Sequence, residues 1–244
     1  EGGIGIFASG NTNVTGTLEY KYNGSTTGTG MGIVYDQIGA ATHINNANVK
    51  LTNATNTTGG MVGVYTTAGS GNTLTNNGDI TGSSTALEFG IVSDGADIVN
   101  NKTITLGNAA SQTDANVGIY AKSNNTITNN DKVTVGDNAI GIYGYNVKNN
   151  KDIKAGDNGV AIYTQGSGTP STTVNLNSGS TITVGKNQAV GVYAVGSGQN
   201  INANAGSSMT IGDNSFGIVN VGSGNTVTSN TTNPVTLGTD AVYI

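Results

Sequence analysis

A chain of 244 residues with 39 glycines, two prolines, 9% charged residues and 35% hydrophobic residues is too apolar for a disordered segment, and its short β-branched runs point to a β protein rich in turns. The absence of cysteine excludes disulfide bracing, thiolate-bound zinc and a thiol nucleophile. The net charge of −5, with nine lysines and no arginine, leaves no basic stripe for nucleic acid, and no apolar run reaches the length that would insert this segment into a membrane.

Taken in chain order, one short anchor recurs: Gly5-Ile6-Phe7, Gly32-Ile33-Val34, Gly63-Val64-Tyr65, Gly90-Ile91-Val92 and Gly118-Ile119-Tyr120. It continues as Gly141-Ile142-Tyr143, Ala161-Ile162-Tyr163, Gly191-Val192-Tyr193, Gly217-Ile218-Val219 and Ala241-Val242-Tyr243. A repeat of this length that cannot bury its own apolar face is the signature of a solenoid. The two shortest units start at Gly118 and Gly141, and each holds three alternating runs separated by Asn, Gly or Asp. The expected fold is all-β: a right-handed parallel β-helix of about ten coils with three short strands each. It forms one segment over 1–244, with loop-bearing coils in 1–117, regular short coils in 118–164 and loop-interrupted coils in 165–244. Both ends lie inside the pattern, so the chain reads as a segment of a longer rod.

Period-two alternation assigns the core. In Ile140-Gly141-Ile142 and Val190-Gly191-Val192-Tyr193-Ala194 it turns the aliphatics inward and Gly and Tyr outward. On the second strand it buries Leu74, Ile98, Ile127, Val147, Val174, Ile201 and Val227, and on the third Ile80, Ile104, Val133, Ile182 and Met209. The Asn pairs at 45–46, 76–77, 100–101, 129–130 and 149–150 read as turns carrying a stacked amide ladder. The Gly-Asp-Asn corners at Gly136, Gly156 and Gly212 read as turns too.

Catalytic chemistry finds little support. Glycoside hydrolysis needs two carboxylates about 5 to 9.5 Å apart, and the corner residues Asp137, Asp157 and Asp213 read as solvated turn positions with no arginine available to hold a uronate. The single His43 reads as an exposed strand residue. Asp94-Gly95-Ala96-Asp97 reads as a turn rather than a cation site, and the Asn-X-Ser/Thr sequons at Asn13, Asn53, Asn101 and Asn230 follow from composition. No cofactor, metal or catalytic residue is assigned.

Two features could carry binding. Tyr65, Tyr120, Tyr143, Tyr163 and Tyr193, with Phe7 and Tyr243, share one repeat position that alternation places outside, as an aromatic stripe or a stiffening ladder. The early coils also lengthen at one corner, over residues 20–30, 52–60, 82–87 and 107–116, a patch of loops edged by Tyr20, Lys21 and Tyr22. A separate loop over 165–173 holds Pro170.

With the repeat laid out, the GIYA/GVYA anchors, the NTITNN turn and the TVGDNA run resemble the passenger domains of bacterial type V autotransporters, above all the large fusobacterial outer-membrane adhesins. The resemblance implies display on the bacterial cell surface, or release from it, with anchoring through a C-terminal outer-membrane barrel. It also implies attachment to host-cell or bacterial glycans or protein receptors. A passive stalk projecting a distal tip, and a polysaccharide-degrading β-helix, are the alternatives.

Overall fold

The computed structural model describes residues 3–22, 28–36, 42–53, 59–82 and 87–244. These form a parallel β-solenoid of 23 strands with every strand pairing parallel; the only helical element described is a short 3-10 turn, Gln112–Asp114.

One ladder follows the anchors. Ile6, Ile33, Val64, Ile91, Ile119, Ile142, Ile162, Val192 and Ile218 pair in unbroken succession, so the chain makes about eight turns between the first and the last of them. The tenth anchor does not join this ladder in the expected register. Val242 makes only an isolated bridge to Phe216, which sets Tyr243 against the core beneath Gly217 and outside the tyrosine row. Strands also merge across corners: Thr42–Asn53, Val160–Leu176 and Val190–Ala203 each run through a turn of the winding without a break.

The other two ladders place the core where alternation puts it. Leu74, Ile98, Ile127, Val147, Val174, Ile201 and Val227 stack in one. Val49, Ile80, Ile104, Val133, Ile153, Ile182, Met209 and Val235 stack in the other. All but Val227 and Val235, at the last turn, are buried, and both of those pack against the core. Each turn contributes only a few of these side chains, so stability comes from contact between neighbouring turns.

His43 corrects the expectation of an exposed residue. It pairs with Leu74 at a core position of the second ladder, is fully buried, and lies 4.9 Å from the Tyr35 ring at an interplanar angle of 19°. Its Nδ1 sits 3.1 Å from the Thr66 hydroxyl. Burial holds the imidazole below the usual histidine range, against a smaller upward pull from Asp36. Below about 6.5 the unfolded chain therefore binds more protons than the folded one. The contribution is present above about 6.5 and is lost as pH falls. The denaturation midpoint of the native chain is expected to fall more steeply from pH 7 to pH 5 than that of His43→Leu; parallel curves would contradict this.

The Asn pairs form two amide ladders of opposite polarity. In the inner one, Nδ2 of Asn45, Asn76, Asn100 and Asn129 donates to Oδ1 of Asn76, Asn100, Asn129 and Asn149 over 2.7 to 2.9 Å, all fully buried. Its direction is set locally, because Asn45 Nδ2 also donates to the Ala47 carbonyl while its Oδ1 accepts the Ala47 N–H. In the outer ladder Asn46, Asn77, Asn101, Asn130, Asn150, Asn177 and Asn204 each donate backward to the preceding turn. The inner ladder stops where Leu176 takes the next position.

The Gly-Asp-Asn corners are turns, with Asn138, Asn158 and Asn214 in left-handed backbone at φ of 56°, 53° and 52°. Residues 165–173 are not a separate loop. They belong to the strand Val160–Leu176, whose Gly166 and Ser167 pair with Gly196 and Ser197 before the register shifts and resumes at Thr172 and Gln199. The Gly-Ser-Gly corner stacks a third time at residues 222–224, where the Ser223 carbonyl accepts the Gly198 N–H.

Candidate binding surface

The tyrosine row is in register: Phe7, Val34, Tyr65, Val92, Tyr120, Tyr143, Tyr163, Tyr193 and Val219 occupy successive positions of the anchor ladder. Phe7 is 61% exposed, whereas the tyrosines are half-buried. Ring centroids are 4.9 Å apart for Tyr120–Tyr143, 4.7 Å for Tyr143–Tyr163 and 5.6 Å for Tyr163–Tyr193. The strand spacing of about 4.8 Å suits aromatic contact: Tyr143 and Tyr163 stack at 14°, Tyr120 is tilted 47° to Tyr143, and Tyr193 meets Tyr163 edge-on at 69°. A sugar ring needs an open aromatic face, and Tyr143 has neighbouring rings on both sides.

Tyr65 stands apart from this stack between two valines. Its hydroxyl donates to Asp94 Oδ2 over 2.5 Å, while Lys122 Nζ lies 3.4 Å from Oδ1 of the same carboxylate. Asp97 Oδ1 accepts the Thr126 N–H at 2.8 Å. The Asp94–Asp97 turn is thus occupied by protein partners, and among the described residues no group of three or more metal-ligating side chains gathers.

Burial, followed by the Asp94 carboxylate, pushes the Tyr65 phenol up to about 12. Burial, followed by the phenols of Tyr163 and Tyr120, does the same for Tyr143. Unfolded phenols ionise near 10, so between about pH 10 and 12 the folded chain binds more protons than the unfolded one. This contribution is complete below about 10 and lost as pH rises through 12. The denaturation midpoint is expected to drop over that window, and less so in Tyr65→Phe/Tyr143→Phe; equal drops in both chains would contradict it.

The cluster Tyr20, Lys21 and Tyr22 divides. Tyr20 shares the inward side of its strand with Leu18, packs on the core, and its hydroxyl donates to the Gly3 carbonyl at 3.2 Å. Gly30 is glycine because that phenol fills the space a Cβ would occupy. Lys21 projects outward, 3.9 Å from Glu19, whose carboxyl is held below its usual value first by a hydrogen bond from Lys50. Tyr22 pairs through its backbone with Asn53, and its side chain lies outside the described residues.

The residues flanking the early insertions stack, Tyr22 on Asn53 and Leu51 on Gly82 before them, Gly30 on Met61 and Met61 on Glu88 after them. Residues 23–27, 54–58 and 83–86 themselves lie outside the described residues. The insertion over 107–116 is described. Buried Asn116 closes its base by donating to the Gly107 and Asn108 carbonyls and accepting the Glu88 N–H. The Gln112 side chain reaches two turns along the rod to the Asn158 carbonyl at 2.7 Å.

That loop overhangs a feature alternation does not disclose. At the anchors, glycine points inward together with the aliphatic that follows it. A Cβ on Gly141 would stand 2.7 Å from Ile153 Cγ2 and 2.6 Å from the Ala161 carbonyl oxygen, and the ladder skips this position. Ile140 and Val190 therefore face outward, contrary to expectation, and glycine is the residue that lets two successive positions face the core. The kink folds the outer surface into a valley between the row Ile140, Val160, Val190, Phe216 and the tyrosine row. Below the Gln112 loop it deepens into a cleft of about 480 Å³. A second recess of about 260 Å³ lies nearer the N-terminus, lined by Tyr65, Phe89, Tyr120, Asp94 and Lys122 among others.

The corner carboxylates are engaged along the rod. Asn108 Oδ1 accepts the Asp137 N–H, Asp137 Oδ1 the Asp157 N–H, and Asp157 Oδ1 the Lys186 N–H, each over 2.8 to 3.0 Å. Asp213 accepts the Thr239 N–H and pairs with Lys186 at 2.9 Å, which holds its carboxyl below the usual range.

No family model, curated protein or solved structure matches this chain.

Proposed function

We propose that this chain is a surface-exposed passenger segment of a type V autotransporter adhesin, which attaches to host cells or to other bacteria through the outer surface of its solenoid. The observation that carries this reading is the pairing of a rigid rod, held by two buried or stacked amide ladders, with an outward cleft lined by aliphatic, aromatic and amide side chains. Rigid elements presenting a shaped apolar recess are the usual ground plan of a recognition surface. The winding is read as right-handed, the hand that about 98% of parallel strand connections follow. The repeat is read as three strand segments per coil and one coil for each of the ten anchors, nine of which stack in register. On this reading the segment sits at the bacterial surface, anchored through an outer-membrane barrel or released, binds glycans or protein receptors, and neither enters a membrane nor binds nucleic acid.

The alternative of a passive stalk is supported by the tyrosine stack, whose inner rings serve each other. A polysaccharide-cleaving role draws no support from the corner aspartates, whose Oδ1 atoms hold backbone N–H groups of the next turn. The test is adhesion of beads coated with the purified, folded chain to intact bacterial and epithelial cells. Saturable adhesion competed by free chain is expected. Coated beads that adhere no better than bare ones would contradict the adhesin reading and leave the stalk.

A further inference from the structure

The cleft beneath the Gln112 loop has three parts. Its floor is Ile140, Val160 and Val190, one wall carries the amides of Asn138, Asn158 and Gln188, and the opposite wall carries Tyr163 and Tyr193, with Phe216 at the far end. At about 480 Å³ it is of the size that holds a small ligand. Among the described residues none that lines it is charged, so an ionic ligand would lose hydration and find no counter-charge. Amides and phenols each donate and accept hydrogen bonds, which suits neighbouring hydroxyl groups, while the aliphatic floor suits C–H faces. The tyrosine stack ends here: Tyr193 has Tyr163 on one side and only Val219 on the other, and Phe216 is 37% exposed. These are the aromatic faces that the inner rings lack. The bordering strands pair with neighbours on both sides, so no free backbone edge invites an added peptide strand.

We infer that this cleft is a binding site for a short neutral oligosaccharide. The inference rests on the adhesin reading and gives it a site and a ligand class. The sugar's C–H face lies on Val190 and Phe216 beside Tyr193, and its hydroxyls meet Gln188 and Asn158.

The chain has no tryptophan, and two of its ten tyrosines, Tyr163 and Tyr193, line the cleft, so a change in tyrosine emission can follow binding there. The native chain is titrated with cellotetraose, mannotetraose, galactotetraose and chitotetraose, with tetragalacturonate as the charged control. At least one neutral sugar is expected to give a saturable change and the uronate none. Gln188→Gly should weaken binding at least tenfold; it removes one amide at a φ of 68°, which glycine adopts without strain. Phe216→Ser should do the same, and Lys148→Ala on another face should leave binding unchanged. Cooperative unfolding of each variant establishes that it is folded.

No response to any neutral sugar, an equal response to the uronate, or binding that both cleft variants retain would overturn the assignment. So would self-association in sedimentation equilibrium that Phe216→Ser abolishes without any sugar response, which would make the cleft a contact between copies. Bead adhesion separates the two readings. Adhesion by a chain that binds no neutral sugar, surviving Gln188→Gly and Phe216→Ser, removes this site and leaves the adhesin. Sugar binding by a chain that adheres to no cell removes the adhesin and leaves the site.

Discussion

Asn100→Asp is expected to remove about 4 kcal/mol of stability at pH 7, and most of that loss should vanish in acid. Asn100 is fully buried in the middle of the inner ladder. It accepts from Asn76 at 2.8 Å and donates to Asn129 Oδ1 at 2.9 Å. An ionised carboxylate there turns the donor into a second acceptor, aimed at an oxygen, with its charge out of water. A protonated carboxyl can donate to Asn129 again, so its folded pKa rises above the unfolded value. The deficit is then complete at neutral pH and shrinks as pH falls through the folded pKa. Asn130→Asp in the outer ladder, where the side chain is exposed, should cost less than about 1 kcal/mol. Denaturant unfolding of both variants at pH 7 and pH 4 checks this; equal, pH-independent losses would contradict a ladder of fixed polarity.

Gly78→Ala should cost about 3 kcal/mol, the upper end for an added methyl in a packed interior. A Cβ at this position would stand 1.9 Å from the Ala47 carbonyl oxygen and 2.4 Å from its carbon, both backbone of the preceding turn. Neither strand can move without breaking pairs, because Val49 and Ile80 are in register just beyond the clash. Gly69→Ala is the control, since its Cβ would meet nothing within 4 Å, and its effect should stay within about 0.5 kcal/mol. Matching denaturation midpoints for the two variants would contradict the close stacking of turns at this corner.

The sequence makes the second and third ladders legible because there one β-branched residue alternates with polar ones, and period two is all that a half-buried strand requires. The Asn pairs are legible for a related reason: amides repeated at one corner have few places to go except each other. The anchors are less legible. Alternation assumes one residue in and one out, and a glycine that turns inward beside an aliphatic breaks the count without changing the composition. Alternation therefore puts Ile140 and Val190 inside and hides the cleft they floor.

His43 is misplaced by polarity alone: it occupies a core position because Tyr35 and Thr66 meet its ring. Tyr20 looks like the edge of a loop patch, but its strand shares the inward side with Leu18. A register signal was available for both, since each lies an even number of residues from a core aliphatic on its own strand: Val49 for His43, Leu18 for Tyr20. Alternation marks Tyr163 and Tyr193 only as outward positions. In the structure they matter for where the stack ends.

The decisive measurement sets the two outward features against each other in one adhesion assay, with beads carrying the native chain, Tyr143→Leu, or Gln188→Gly/Phe216→Ser. Tyr143 lies in the middle of the stack and outside the cleft lining, so its loss should leave adhesion at the native level, while the cleft pair should abolish it. Adhesion lost in Tyr143→Leu and retained in the cleft pair would contradict this, and would return the binding role to the tyrosine ladder.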